Sequence, residues 1–369
     1  MSSVLWYNQG SGIFPDSVSG RCVRLKKAFV FLSALVFLSC LYSGVSADSV
    51  PVIVSLGDSY SCGEGIEPFY GQDAEMALRC LDPDWLAHRS EKSWPGMLTL
   101  PGVSGPMKEH RGENWFFAAA SGADSSCLYL PESEERPDEK TGRLEKVYNR
   151  DGISGTAWLE PQLDIFDELD RKGLEADYVT VTIGGNDLGF HRVIGFSLLG
   201  MLTGLPGDTP AEKADALLQD VYFSAGVRSR VKRAYSDIAS RAGSQACILA
   251  VGYPPLLAPD CGGVFPGNSP EILNAAVTVF NEELRGIVDE CRAEGLNICF
   301  VSVEEAFAGH EAYSAEPGIN PLIFGASAQD LKEFQISSNY SMHPNELGAA
   351  IYARCVQDVI DRLESEKQR

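Results

Sequence analysis

Short runs of apolar, β-branched residues alternate along this chain with longer stretches in which apolar side chains recur every three or four positions. The run Tyr178-Val179-Thr180-Val181-Thr182-Ile183 is the clearest strand signal. Val52-Ile53-Val54-Ser55-Leu56, Cys247-Ile248-Leu249-Ala250-Val251 and Ile298 to Val303 read the same way, and Trp115-Phe116-Phe117-Ala118 is a weaker fifth. These runs are continuously apolar rather than alternating, which suits strands covered on both faces. Between them, residues 270–294 place Ile272, Leu273, Ala276, Val277, Phe280, Leu284, Ile287 and Val288 at helical spacing. Residues 344–364 do so with Leu347, Ile351, Cys355, Val359 and Leu363, and Pro344 suits a first helical turn. Residues 161–172 and 225–241 are shorter helical candidates. Strand–helix alternation of this kind predicts an α/β fold: a three-layer α/β/α sandwich around a central parallel sheet.

Two segments interrupt the alternation. Residues 131–153 are polar and charged and read as a surface loop. Residues 188–214 mix Ile194, Phe196, Leu198, Leu199, Met201 and Leu202 with Gly and Pro. They read as a buried helix with a loop or, alternatively, as an apolar lid over a substrate.

The N-terminus has its own order. Arg21, Arg24, Lys26 and Lys27 precede an apolar run from Ala28 to about Tyr42, and Val45-Ser46-Ala47 offers a cleavage site before Asp48. Basic, apolar, then small is the order of a secretory signal peptide, and the apolar part is short for a membrane span. The expectation is export, with residues 1–47 removed and one domain over 48–369. An uncleaved anchor and lipid attachment at Cys40 are the alternatives. Neither stable membrane insertion after cleavage nor oligomerisation is expected.

Charge and cysteines change meaning under that expectation. The chain carries 30 Lys and Arg against 51 Asp and Glu, net −21. Residues 1–47 hold four of the basic residues and one acidic residue (Asp16), so the remainder stands at 26 against 50. No basic run lies outside the N-terminus, which excludes a phosphate-tracking nucleic-acid binder. Ten cysteines become eight, an even number, and disulfides are the default expectation in an oxidising compartment. Cys291 and Cys299 are close enough in sequence to close a small loop, whereas Cys62, Cys80 and Cys127 compete for partners. No CxxC pair, His-x-x-x-His spacing, dinucleotide fingerprint or Walker loop occurs, so neither a metal nor a cofactor is expected.

The candidate chemistry sits just after the strands, where an open parallel sheet binds its ligands. Gly57-Asp58-Ser59 follows the first strand and would present a hydroxyl above the sheet. Ala119-Ala120-Ser121-Gly122 follows the weak strand. Gly184-Gly185-Asn186-Asp187 follows the strongest, where two glycines permit a sharp bend and Asn186 can aim an amide into a cleft. Ser341-Met342-His343-Pro344-Asn345 precedes the last helix, and a histidine held there can act as a general base. His88, His110, His191 and His310 read as structural. Each cluster alone is an unremarkable turn.

Taken in order, the four clusters resemble the blocks of the SGNH (GDSL) hydrolase family. The resemblance runs from Val52 to about Ala353 and is nearest to secreted actinobacterial-type esterases and lipases. Arg89-Ser90, Trp94-Pro95 and Phe307-Ala308-Gly309-His310-Glu311 also look like that branch. It implies the flavodoxin-like sandwich of that family and a carboxylic ester as substrate. It implies Ser59 as nucleophile and His343 as base, with an oxyanion hole made by the N–H groups of Ser59 and Gly122 and the Asn186 side chain. A carbohydrate O-acetyl esterase, or a non-catalytic extracellular binding protein on the same scaffold, is the alternative. One position departs from the pattern: where many members carry Asp three residues before the histidine, this chain has Tyr340. The expectation is therefore a Ser–His dyad with His343 oriented by the Tyr340 main-chain oxygen; Asp330, Glu333 and Glu346 are the other candidates.

Overall fold

A computed structural model describes residues 50–130, 142–150, 153–219, 226–323 and 338–369. The expected signal segment, the start of the 131–153 insertion, and Asp330 and Glu333 lie outside these residues. Five strands form one parallel sheet: β1 (Ile53–Gly57), β2 (Trp115–Phe117), β5 (Tyr178–Thr182), β6 (Cys247–Val251) and β7 (Ile298–Val301), in the order β2-β1-β5-β6-β7. All five lie where the apolar runs predict them, within a few residues. Every residue of β1, β2, β5 and β6 is buried, and only the edge strand β7 is partly open. Burial on both faces explains why these strands read as continuous apolar runs.

The helices relevant to the site are α1 (Ser59–Cys62), α2 (Ile165–Lys172), α3 (Phe190–Leu198), α4 (Pro210–Leu218), α5 (Val227–Ala242), α6 (Ser269–Ala293) and α7 (Glu346–Lys367). The 25-residue α6 buries Ile272, Leu273, Ala276, Val277, Phe280, Leu284, Ile287 and Val288 on one stripe and packs against α4 and α5. The last helix begins later than expected. Pro344 stays outside it, because the Asn345 side chain accepts the Gly348 N–H and so makes Asn345 the cap. Helix α4 begins at the end of the segment read as a buried helix with a loop or as a lid and runs past it to Leu218; its signal is Thr209-Pro210-x-Glu212, which forms a full capping box.

The surface-loop expectation for 131–153 needs correction over its described part. Residues Leu144–Arg150 form strand β3, paired antiparallel with β4 (Ile153–Leu159). Leu144, Lys146 and Tyr148 turn inward while Glu145 and Val147 are exposed, the alternation of a strand with one wet face. The inner face rests on a satellite core of Phe69, Trp85, Leu86 and Ala123.

The disulfides expected for an exported chain are not formed: all eight cysteines among the described residues are free thiols. Six are buried, among them Cys62 at the end of α1, Cys247 in β6 and Cys291 in α6. There they pack as small apolar side chains.

The chain enters the sheet at β1, adds β2 on one side and then crosses to β5 on the other. That reversal leaves a crevice beyond the C-terminal ends of β1 and β5. Gly57 closes β1 at φ +122°, and a Cβ there would lie 2.4 Å from the Thr182 carbonyl oxygen, so only glycine fits. Its N–H and C=O are both taken by the side-chain amide of Gln162, at 2.7 and 2.8 Å. Asp58 follows, fully buried. Its carboxylate accepts from the Tyr60 N–H (3.0 Å), the Thr182 hydroxyl (2.7 Å) and the Tyr253 hydroxyl (2.5 Å).

Burial lifts the Asp58 carboxyl from 3.8 to about 6, although its three donors pull it down. A group raised on folding stabilises the fold below its unfolded pKa and loses that contribution as pH climbs through the folded value. Urea unfolding of wild type and Asp58→Asn from pH 4 to 7 should show a difference that shrinks with rising pH, by at most about 3 kcal/mol. A pH-independent difference would refute this assignment. Asp58→Ala, which orphans three buried donors, should cost about 3 kcal/mol or more.

Candidate active site

The crevice is a cleft of about 350 Å³ that Ser59, Gly122, Asn186 and His343 all line. Each comes from a different loop. Ser59 opens α1 directly after the Asp58 cap, and its own backbone N–H belongs to the first, unpaired turn of that helix. Its Oγ lies 2.8 Å from His343 Nε2.

His343 is positioned from both sides. Its Nδ1 lies 3.0 Å from the Ser341 carbonyl oxygen, which can only accept. The proton therefore sits on Nδ1, and Nε2 is left with a lone pair facing the Ser59 hydroxyl. The loop is braced by the Tyr60 hydroxyl donating to Met342 O (2.6 Å), by the Asn320 N–H donating to His343 O (2.8 Å), and by the Tyr60 ring 5.2 Å from the imidazole. A main-chain carbonyl thus holds the ring, as expected, but it is that of Ser341 and not Tyr340. The Tyr340 oxygen is occupied by the backbone N–H of His343 itself, 3.3 Å away. Glu346 is not the missing acid, because it pairs with Lys92.

The electrostatics involve a carboxylate that sequence reasoning missed. Glu64 is 0 % exposed, and its Oε2 accepts from His88 Nδ1 at 2.7 Å. Burial alone would raise its pKa; the neighbouring His88, and then His343, outweigh that and hold it at about 2. Burial pushes the His343 pKa below its ordinary 6.5, with the Glu64 charge opposing. The only sequence signal for Glu64 is its place between two glycines. Gly63 adopts φ +87° with Ser90 Cβ 2.7 Å from where its own Cβ would stand, so the chain runs tight against Ser90 and Glu64 is carried inward. His88, read as structural, is the partner of this carboxylate, and His191, read the same way, lines the cleft.

The second and third clusters are tied together. Asn186 Nδ2 donates one hydrogen to the Ala123 carbonyl (2.7 Å). Asp187 accepts from the Ser125 N–H (2.9 Å) and hydroxyl (2.5 Å) and pairs with Arg230. Gly122 sits between them at φ +83°, with open space where a Cβ would project. Among the described residues no partner takes the Gly122 N–H or the second Asn186 N–H. The motif residues near β2 act as braces. Arg89 donates to the Ala118 and Ala119 carbonyls (3.0 and 2.9 Å), and Trp94 Nε1 donates to Tyr60 O (2.9 Å). Lys146, which the sequence placed in a surface loop, also reaches the cleft from β3.

The rest of the lining combines an apolar part, from Phe190 and Ile194 of α3, Leu256, Val277, Phe280 and Leu322, with polar groups such as Ser338, Asn339 and His191. Such a site can bind an apolar group beside a hydroxyl that has a base at hydrogen-bonding distance. Among the described residues no cluster of three His, Cys, Asp or Glu could hold a metal ion, and no helix is long and apolar enough to cross a membrane.

No protein-family model matches the chain. Curated relatives do. Lipase 2 of Streptomyces coelicolor is 30% identical over 361 residues, covering 94% of this chain and 99% of the relative. A lipase of Streptomyces rimosus is 25% identical over 307 residues, 81% of this chain and 90% of the relative. Among solved structures, an extracellular lipase from Streptomyces rimosus superposes with a TM-score of 0.51 at 21% identity, covering 84% of this chain and 99% of its own. A phospholipase A1 from Streptomyces albidoflavus gives 0.52 at 17% identity, covering 85% and 99%. With these relatives, the parallel sheet and the four loops gathered over it, the chain belongs to the SGNH (GDSL) family of carboxylic ester hydrolases.

Proposed function

We propose that the protein is a secreted serine esterase or lipase that works through an acyl-enzyme on Ser59. The observation that carries this reading is the 2.8 Å contact between Ser59 Oγ and His343 Nε2, with Nδ1 of the same ring held by the Ser341 carbonyl. His343 takes the hydroxyl proton as Oγ attacks the ester carbonyl carbon. The carbonyl oxygen becomes an oxyanion facing the N–H groups of Ser59 and Gly122 and the free N–H of Asn186. Collapse of the intermediate breaks the bond to the alkoxy oxygen, and His343 returns its proton to the departing alcohol. Water then repeats the sequence on the acyl-enzyme, with His343 again as base, and releases the acid.

An acyl-lipid substrate is favoured over a glycan acetate by the apolar lining from Phe190, Ile194 and Phe280, which has room for more than an acetyl group. Helix α3 contributes Phe190 and Ile194 to this wall while Phe196 of the same helix, and Leu199 and Met201 just after it, remain exposed, which supports segment 188–214 as a cover on the acyl side of the cleft. Export rests on the basic–apolar–small order of residues 21–47.

A fluorophosphonate probe should label the wild type, and Ser59→Ala should abolish both labelling and ester turnover; an unlabelled, folded wild type would overturn the proposal. A series of p-nitrophenyl esters beside acetylated xylan should show kcat/KM rising beyond the acetate, and highest activity on the xylan would assign the glycan ester instead. Asn186→Ala should lower kcat about 10²–10³-fold, the usual loss for one oxyanion donor. The base must be neutral, so kcat/KM should fall as pH drops through the His343 pKa, at a midpoint below 6.5. Glu64→Gln removes a charge that favours the imidazolium and should move that midpoint lower still.

A further inference from the structure

The hairpin β3–β4 sends one inward-facing cation, Lys146, to the rim of the catalytic cleft. Its Nζ donates to the Ser121 carbonyl oxygen at 3.0 Å. That carbonyl belongs to the same planar peptide group as the Gly122 N–H. The preceding Ala120–Ser121 peptide is anchored by the Ser121 N–H, which donates to Ala87 O (2.9 Å), and the chain then turns through the left-handed conformation of Gly122. Gly122 lines the cleft, and its N–H takes no partner among the described residues.

We propose that Lys146 is a positioning residue that polarises the Ser121–Gly122 peptide and so strengthens Gly122 N–H as an oxyanion donor. The proposal rests on the acyl-enzyme reading above. When an ester carbonyl becomes an oxyanion at that N–H, the groups line up as ammonium, carbonyl, N–H, oxyanion. The amide dipole then has a cation at its negative end and an anion at its positive end. A charge-assisted bond to the carbonyl draws electron density from the amide nitrogen, and chained hydrogen bonds strengthen one another in a low-dielectric site. The gain appears as negative charge develops, so it acts on the transition state more than on the bound ester.

The surroundings keep the cation in place. Burial lowers the Lys146 pKa; the Glu64 carboxylate opposes this most strongly, and the nearby Arg89 adds to the lowering. The charge of this buried carboxylate thus favours the ammonium form, and Glu64 is not among the residues that line the cleft. Lys146 stands where the sequence pattern gave only a charged surface segment, so its role depends on the hairpin that delivers it.

The test compares wild type, Lys146→Met and Lys146→Arg in steady-state hydrolysis of one p-nitrophenyl ester, with thermal unfolding of each. Lys146→Met should lower kcat about 10-fold while KM stays within about twofold, a smaller loss than removal of a donor outright. Lys146→Arg, which keeps a charged donor, should recover most of kcat. An unchanged kcat in Lys146→Met, a loss carried by KM alone, or an arginine variant as slow as methionine at equal thermal stability would overturn the proposal. If Lys146→Met does not fold, Lys146→Gln serves: it keeps an N–H for the Ser121 carbonyl without the charge, and an unchanged kcat again overturns it. Ser59-dependent fluorophosphonate labelling of the wild type is measured in parallel. Its failure would sink the acyl-enzyme reading itself, whereas labelling with no Lys146 effect sinks only the present inference.

Discussion

One buried carboxylate organises the catalytic end of this molecule. Asp58 accepts hydrogens from its own turn, from Thr182 at the end of β5 and from Tyr253 just past β6. Three stretches of chain far apart in sequence thereby meet at a single group. A buried carboxylate is costly unless its lone pairs are filled, and here three donors of the right kind converge on it. The arrangement locks the ends of β1, β5 and β6 relative to one another directly beneath Ser59. Everything above it, including the first turn of α1, takes its position from that knot.

Built on this base, the proposed mechanism divides between two groups the tasks that many serine hydrolases give to one acid. Orientation of the imidazole comes from a neutral carbonyl, that of Ser341. The compensating negative charge comes from Glu64, which favours the protonated ring through space. A carbonyl two residues away in a short loop holds the ring rigidly but contributes only a dipole. A full charge held by His88 can sit farther off because the buried surroundings screen it weakly. The absence of an aspartate before His343 is therefore answered by two groups, each suited to half the role.

Much of the fold was legible because burial on both faces writes itself into sequence as unbroken apolar runs. The five sheet strands, and helices such as α6 with its regular apolar stripe, follow from that pattern. That Ser59, Gly122, Asn186 and His343 line one cleft was legible because each follows a strand or precedes a helix with small or turn-forming neighbours. The parts that escaped have a common physical cause. The hairpin alternates polar and apolar residues so weakly that its charged positions dominate the reading. Glu64 looks like any surface carboxylate until the backbone around Gly63 turns it inward. The carbonyl that orients His343 was placed one residue early, since main-chain atoms carry no side-chain identity to read. The thiols were expected to be cross-linked on grounds of compartment, whereas their locations in α1, β6 and α6 serve packing.

The distance between Ser59 and His343 along the chain, 284 residues, has a consequence for how the protein comes into being. Contacts of such long range form only after the intervening chain has collapsed, because closing so large a loop must be repaid by the structure around it. On the proposed mechanism, the nucleophile emerges early in synthesis, yet its base arrives with the last helix. A chain truncated before residue 343 keeps the Ser59 turn and the five sheet strands in its sequence but lacks the imidazole that contacts the hydroxyl. On that reading the Ser59 hydroxyl meets its base only when translation is all but complete.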